Sequence, residues 1–481
     1  MSSIRLAKRA LRLVWQLLCS GRLPRQVLLS KGLQKLGVRI NTNLQGISIG
    51  SLPKEQIEIA RSVSEAVDWS SRNISRISAD ELANRKLRGD AAFREGRYED
   101  FYAEFRAIEE VRQQIRAEAP TSISNLSILM SDWTSPFGNI GLIDQFIKHS
   151  QLRTPNSLDV IVTSLESSAN PSLVRLFGKA CPALFLPKSE VSRLESALVL
   201  FREPLEVRTS SAGCLDQYKW MEVADVEWSI ARRGPILDLS LDIEERGRRF
   251  LKNWGIHEGD WFVTIHVRDE STPGRNACNA SIESYVPAIK EILSQGGTVV
   301  RIGSSDSTPL PKMRGLIDYA RSIRKTSWLD VFLMARCRFF VGTYAGPLGI
   351  PQIFGVPTLC TNSPHIALSM SMPRSLVIPK SLVDRKSGRM LGLMETMSRP
   401  AAWTFADECL GSVERIDNTS WDITGGVREM IEMIESGRQL VGTRSQLAQN
   451  IRKRANGRGT IPISESFLNS ALQANSAFLD L

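Results

Sequence analysis

Apolar and polar positions along this chain change rhythm near residue 119. Residues 51–118 carry apolar positions at helical spacing. Within them Gly89–Val111, GDAAFREGRYEDFYAEFRAIEEV, predicts a helix, a Gly-Arg-Tyr break and a second helix, one tetratricopeptide-type pair. Beyond residue 119 short apolar runs alternate with helical stretches. Strands are predicted over Leu126–Ser131, Asp159–Thr163 and Ala183–Pro187. Between them lie a loop through Pro136, Gly138 and Gly141, a helix running to His149, and a helix over 171–180. Residues 205–235 show no readable period, and 241–254 predict a helix stopped by Gly255.

A second series of the same kind follows. Strand 261–267 is succeeded by helix 281–295, strand 298–303, helix 328–336, strand 339–343, a short apolar helix to Phe354 and strand 357–361. Two such series imply an α/β protein with two doubly wound, Rossmann-like domains and an α-helical N-terminal extension. The expected division is a basic segment over 1–50, a helical region over 51–118, an acceptor-side domain over 119–250, a donor domain over 251–440 and a helical tail over 441–481.

In such sheets ligands bind beyond the carboxyl ends of the strands. Strand 261–267 is apolar because helices cover both faces of a parallel sheet. It closes on His266, Arg268, Asp269 and Glu270. A guanidinium at that place suits bidentate contact with a phosphate or carboxylate. An Arg268–Asp269 pair at a strand end is the plainer alternative. Gly303, Ser304, Ser305, Asp306 and Ser307 follow the next strand, and Tyr344, Ala345 and Gly346 follow Thr343 just before a helix. A small-residue loop opening a helix offers unpaired amides to an anion. Three such strand ends in one domain point to a nucleotide diphosphate.

Charge and cysteine content narrow the classes. Lys and Arg number 61 against 51 Asp and Glu, but residues 1–40 hold nine basic residues and no acid, leaving the body at 52 against 51. Arg5, Lys8, Arg9 and Arg12 share a helical face opposite Ile4, Leu11, Val14, Trp15 and Leu18. That pattern suits either an anionic membrane surface or packing on the protein body. A neutral body without interleaved aromatic and basic residues argues against a nucleic acid partner. Seven scattered cysteines with no C-x-x-C pair argue against a disulfide framework or zinc site and for a reducing compartment. No run of about 18 apolar residues marks a membrane span.

His266-Val267-Arg268 closing the first strand of the second series resembles the H-x-R motif of the fucosyltransferase group. Asp330–Gly346, DVFLMARCRFFVGTYAG, is similar to a later segment of that group, and Phe137-Gly138-Asn139 looks like its G-N loop. Over roughly residues 120–440 the chain also resembles an uncharacterised bacterial family assigned to the glycosyltransferases by analogy, through HVRD, NASIESY and IPQIFGVP. The resemblance implies the two-domain GT-B architecture and transfer of a sugar from a nucleotide diphosphate sugar, a GDP-sugar favoured, to an acceptor hydroxyl. Asp269 and Glu270 depart from the second basic residue common after H-x-R. No Asp-x-Asp triplet occurs, so the expected site holds neither metal nor cofactor.

On that resemblance Arg268 meets the leaving phosphate, Gly138 and Asn139 approach the donor, and Thr343, Tyr344 and Ala345 offer hydroxyl and amide groups to phosphate or sugar. Asp330 or Asp306 touches base or ribose, and His266, Gly303, Ser304 and Gly346 line the site. Asp269 is the candidate general base, with Asp132 and Glu270 behind it. The expected setting is a bacterial cytoplasm, with contact to the inner membrane face through residues 1–20 and a glycan or lipid-linked acceptor from surface polysaccharide synthesis. The competing reading is an inactive nucleotide-sugar-binding scaffold of a polysaccharide assembly.

Overall fold

The computed structural model describes residues 54–76, 79–94, 97–153, 156–203, 207–210, 213–216, 224, 227–228, 231–270, 276–364, 375–402, 407 and 410–437. The basic N-terminal segment, the helical tail and most of 217–230 lie outside the described residues. The chain forms two compact α/β units.

The first comprises the described residues up to Ser135, within His149–Ala169 and within Phe177–Trp220. Helices α1 (Lys54–Asn73), α2 (Ala79–Arg94) and α3 (Tyr98–Arg116) open it. The α2–α3 break falls at Arg97, within the predicted Gly-Arg-Tyr turn. Along the chain, strand β1 (Leu126–Leu129) is followed by α4 (Phe137–Arg153), β2 (Leu158–Thr163), α5 (Pro171–Ala180), β3 (Ala183–Phe185) and α6 (Lys188–Ala197), with residues 137–148 of α4 and 171–176 of α5 belonging to the second unit. Strands β1, β2 and β3 pair in parallel in that order. A parallel bridge from Ile128 to Arg202 extends the sheet on the other side of β1. Helix α1 supplies Val63, Ala66 and Val67 to the core of this sheet, beside Ile128, Val160 and Leu194. The helical lead-in read from the pattern is thus partly a wall of the core. Within 205–235 a short antiparallel hairpin appears, β4 (Val207–Ser210) and β5 (Gly213–Asp216). Its four-residue strands are too brief to leave a period in the sequence.

The second unit comprises Pro136–Lys148, Asn170–Leu176 and the described residues from Met221 onward. It contains α7 (Leu241–Asn253), β6 (Phe262–His266), α8 (Val286–Ser294), β7 (Thr298–Arg301), β8 (Leu316–Asp318), α9 (Ser327–Arg336), β9 (Phe339–Thr343), β10 (Thr358–Ser363), β11 (Leu376–Pro379), β12 (Ser381–Asp384), β13 (Val413–Ile416) and α10 (Ser420–Ser436). Six strands form one parallel sheet in the order β11-β10-β9-β6-β7-β8. Counted within the unit this is 6-5-4-1-2-3, the order of the dinucleotide-binding doubly wound fold. Val263 and Ile265 join the core formed with Ile289 and Ile292 of α8 and Val427 and Met430 of α10. Thr264, pointing the other way as strand alternation requires, donates its hydroxyl to the Leu333 carbonyl of α9 at 2.9 Å. Helix α10 carries a capping box of Thr419 and Asp422 and ends at Gly437 in the left-handed conformation (φ 63°).

Two boundaries near the site move from those predicted, and one strand has no predicted counterpart. Helix α4 starts at Phe137, so Gly138 and Gly141 lie inside it rather than in a loop. Strand β7 stops at Arg301, leaving Ile302 and Gly303 (φ 150°) in the turn. Strand β8, only three residues long, has no alternation by which to find it.

Candidate functional site

The order of strands reverses between β6 and β9, which are hydrogen-bonded neighbours. Chains leave these two strands toward opposite halves of the sheet, and in sheets of this order ligands bind beyond the carboxyl ends at that point. Arg268 lies two residues past the end of β6 and is half-buried. Its amide donates to the Thr343 hydroxyl at 3.0 Å, and its carbonyl accepts the Ala280 amide at 2.9 Å. Both sides of the Arg268 backbone are therefore held, which fixes where its guanidinium starts.

Thr343 is fully buried. Its hydroxyl clips the end of β9 to the backbone after β6, so it is a clamp and not the exposed hydroxyl expected for phosphate or sugar. Tyr344, Ala345 and Gly346 follow, each half-buried, with Ala345 extended before the helical turn Gly346–Leu348. The first amides of such a turn have no partner within it. Gly346 packs on the backbone that opens α4: a Cβ built on it would stand 2.5 Å from the Gly138 nitrogen and 2.8 Å from the Phe137 carbonyl carbon. One turn on, Gly141 faces Gly349, its Cβ position 3.4 Å from the Gly349 Cα. The predicted residues Gly138 and Gly346 are thus in direct backbone contact, and Asn139 sits in the same first turn of α4.

A second group gathers around the ends of β6, β7 and β8. The His266 imidazole lies against Gly303, with Cδ2 3.8 Å from where a Cβ would stand on that glycine. Its Nδ1 is buried without a hydrogen-bond partner. Burial first, then the cations Arg301, Lys325 and Arg268, press its pKa down to about 4, against a smaller opposite pull from Asp269. Asp269 is buried and its carboxylate accepts the Thr308 amide at 3.1 Å. That bond turns the candidate base toward the loop after β7.

This loop spends its polar groups on itself. The Ser304 hydroxyl accepts the Asp306 amide at 3.2 Å and the Ser304 carbonyl accepts the Ser307 amide at 3.3 Å. Arg321 donates to the carbonyls of Ser305 and Ser307, at 3.2 and 2.9 Å, and Lys325 donates to that of Gly303. Ser304–Ser307 is therefore a braced support rather than an open anion cradle, with Asp306 exposed at its tip. Asp330, in the first turn of α9, has a buried Oδ1 without a partner. Burial raises its pKa to about 6, partly offset by Lys325 and a hydrogen bond with Tyr319.

Two residues of this group escape the sequence reading. Arg301 is 1% exposed, donates to the Thr308 carbonyl at 2.5 Å and lies 3.5 Å from Asp318, with Nε and Nη2 buried and unpartnered. A cation inside the run TVVRIG is the signal that marks it, since buried charge is costly without a role. Lys325 lies in an aperiodic loop and leaves no such signal. In the first unit Asp132 follows β1 and pairs with Arg202, itself 1% exposed, at 2.5 Å. Among the described residues no three His, Cys, Asp or Glu side chains gather as a metal site. No described helix is long and apolar enough to cross a membrane.

No protein-family model matches the chain, and no curated protein sequence matches it. Solved structures resemble it loosely. The family 9 glycosyl transferase of Veillonella parvula DSM 2008 is 12% identical, with 53% of this chain and 85% of that one aligned at a TM-score of 0.34. The E. coli ADP-heptose LPS heptosyltransferase II is 14% identical over 53% and 89% of the two chains, with a TM-score of 0.34. The iron-containing dodecameric glycosyltransferase TibC of enterotoxigenic E. coli H10407 is 13% identical over 65% and 76%, with a TM-score of 0.37. At scores this low the reading of the fold rests on the strand order.

Proposed function

We propose that this chain is a glycosyltransferase of the GT-B type, moving a sugar from a nucleotide diphosphate sugar to an acceptor hydroxyl. One observation carries the reading. At the switch point of the six-stranded sheet, Arg268 and the Tyr344–Gly346 turn follow the carboxyl ends of two neighbouring strands, and the Arg268 amide bond to Thr343 ties those ends together. Arg268 meets the leaving diphosphate, and the first amides of the Gly346 turn take its remaining oxygens. The acceptor oxygen attacks the anomeric carbon, the carbon–oxygen bond to the phosphate breaks, and the acceptor proton passes to a base. Asp269 anchors the support loop through Thr308, and the proton is not routed through it.

The H-x-R resemblance favours a GDP-linked donor. In this proposal the cations do the work a metal does elsewhere, and the acceptor is a bacterial surface glycan or its lipid-linked precursor.

The test is release of the nucleoside diphosphate from GDP-, UDP-, dTDP- and ADP-sugars, and of CMP from a CMP-sugar, with EDTA present throughout. The expected result is turnover with one diphosphate class, reduced about 100-fold or more in Arg268→Ala, the scale of losing one preorganised stabiliser of a leaving charge. No release and no binding with any donor, in folded protein, overturns the proposal. Binding without release would instead mark a nucleotide-sugar-binding scaffold.

A further inference from the structure

The loop after β8 runs from Tyr319 to the start of α9 and holds a feature that sugar transfer does not use. Ile323, at its tip, is fully exposed, at 102% of its reference area. One exposed apolar side chain is ordinary, but its setting is not. Arg321, Arg324 and Lys325 surround it, and no acidic residue occurs from Tyr319 to Leu329. All three cations are exposed.

The loop is held rigidly from below. Arg321 and Lys325 grip the carbonyls of the neighbouring loop, as described above. The Tyr319 ring is buried, and its hydroxyl accepts the Thr326 amide at 2.9 Å. The tip therefore projects Ile323 and Arg324 on a fixed base. Half-buried rings stand at that base. Trp254 lies 5.7 Å from Tyr319, Phe250 lies 6.1 Å from Trp254 and 5.5 Å from Trp328, and Arg246 sits 4.2 Å over the Trp328 ring.

We propose that Tyr319–Thr326 is a membrane-contact loop, with Ile323 entering the headgroup region and its flanking cations meeting anionic lipid. An apolar tip ringed by cations above an aromatic base is the composition of an interfacial surface. A nucleic acid strand also draws on cations and rings, but it needs ring faces offered for stacking. Here the rings are packed edge-on or tilted against one another, and the group offered outward is aliphatic.

The test is co-sedimentation of the full chain with vesicles of phosphatidylcholine, with and without roughly one-third phosphatidylglycerol. The wild type is expected to bind the anionic vesicles, more weakly at high salt. Ile323→Asp and Arg324→Glu are each expected to raise the apparent Kd about tenfold, and Ile323→Trp to lower it. All three should leave the melting temperature unchanged, since neither side chain packs inside the fold. The first 20 residues have their own basic amphipathic pattern, so the comparison is among variants of the full chain. Three results each overturn the proposal. The wild type fails to bind anionic vesicles; both loop substitutions bind like the wild type; or the substitutions weaken binding of a single-stranded oligonucleotide while vesicle binding holds.

Discussion

The contact between Gly346 and the start of α4 makes an asymmetric prediction. An alanine methyl at 346 would meet the Gly138 nitrogen at 2.5 Å, the Phe137 carbonyl carbon at 2.8 Å and the Gly138 Cα at 3.0 Å. All three are backbone atoms, so no side chain can rotate away and the two segments must separate. Overpacking of that kind costs roughly 1–3 kcal/mol. The same methyl placed on the other partner costs almost nothing. At Gly138 its nearest neighbour is the Gly346 Cα at 3.6 Å, and at Gly349 it is the Gly141 Cα at 3.7 Å, both ordinary contacts. Alanine inside α4 also gains up to about 1 kcal/mol in helix propensity. Urea unfolding followed by circular dichroism should therefore show Gly346→Ala with a clearly lowered midpoint, and Gly138→Ala and Gly349→Ala at or above the wild type. Gly346→Ala should also weaken nucleotide binding, because its turn carries the amides proposed for the phosphate. A wild-type midpoint for Gly346→Ala, or an equal loss in Gly138→Ala, would refute the packing argument.

Other outcomes follow from the same geometry. Thr343→Val leaves the Arg268 amide without its acceptor in a buried place and should cost about 1–3 kcal/mol, whereas Thr343→Ser should restore most of it. Gly247→Ala should destabilise as Gly346→Ala does, since its methyl would stand 2.2 Å from the Phe332 ring; here the obstacle is a side chain in a packed core, so partial relief is expected. The pH dependence has two opposing parts. His266, held near 4 against 6.5 when unfolded, loses stability for the fold as pH drops from 6.5 toward 4, because only the unfolded chain takes up that proton. Asp330, held near 6 against 3.8, does the reverse, favouring the fold as pH drops over 6 to 3.8. Asp330→Asn should thus steepen the acid loss of stability by on the order of 1–3 kcal/mol between pH 6.5 and 4. An unchanged slope in thermal melts across that range would contradict these environments.

What could be read from the chain followed from period and position. Strands β6 and β9 are continuous apolar runs because both sheet faces are covered, and they stand out for that reason. The polar residues just beyond them could be read in advance as lying at the carboxyl ends of these strands, which is where Arg268 and the Tyr344–Gly346 turn stand. The role of Thr343 could not, because a hydroxyl at a strand end looks the same whether it faces a ligand or clips a neighbour. Ser304–Ser307 shows a related ambiguity: small polar residues suit an anion loop, but here the Asp306 and Ser307 amides bond to Ser304, and the amide of the next residue, Thr308, bonds to Asp269. The packing of Gly138 on Gly346 joins residues some two hundred positions apart, which no local pattern reveals. Helix α1 looked like a lead-in because its apolar stripe fits any partner; only the fold shows that the partner is the first sheet.

The most direct test of the central claim is calorimetric titration of the wild type and Arg268→Ala with GDP, UDP, ADP and dTDP. A diphosphate site at the β6–β9 switch point predicts that one nucleotide binds the wild type and that Arg268→Ala weakens it at least about tenfold, the loss of a charge-assisted bidentate contact. Equal affinity in both proteins, or no binding to either, would contradict it.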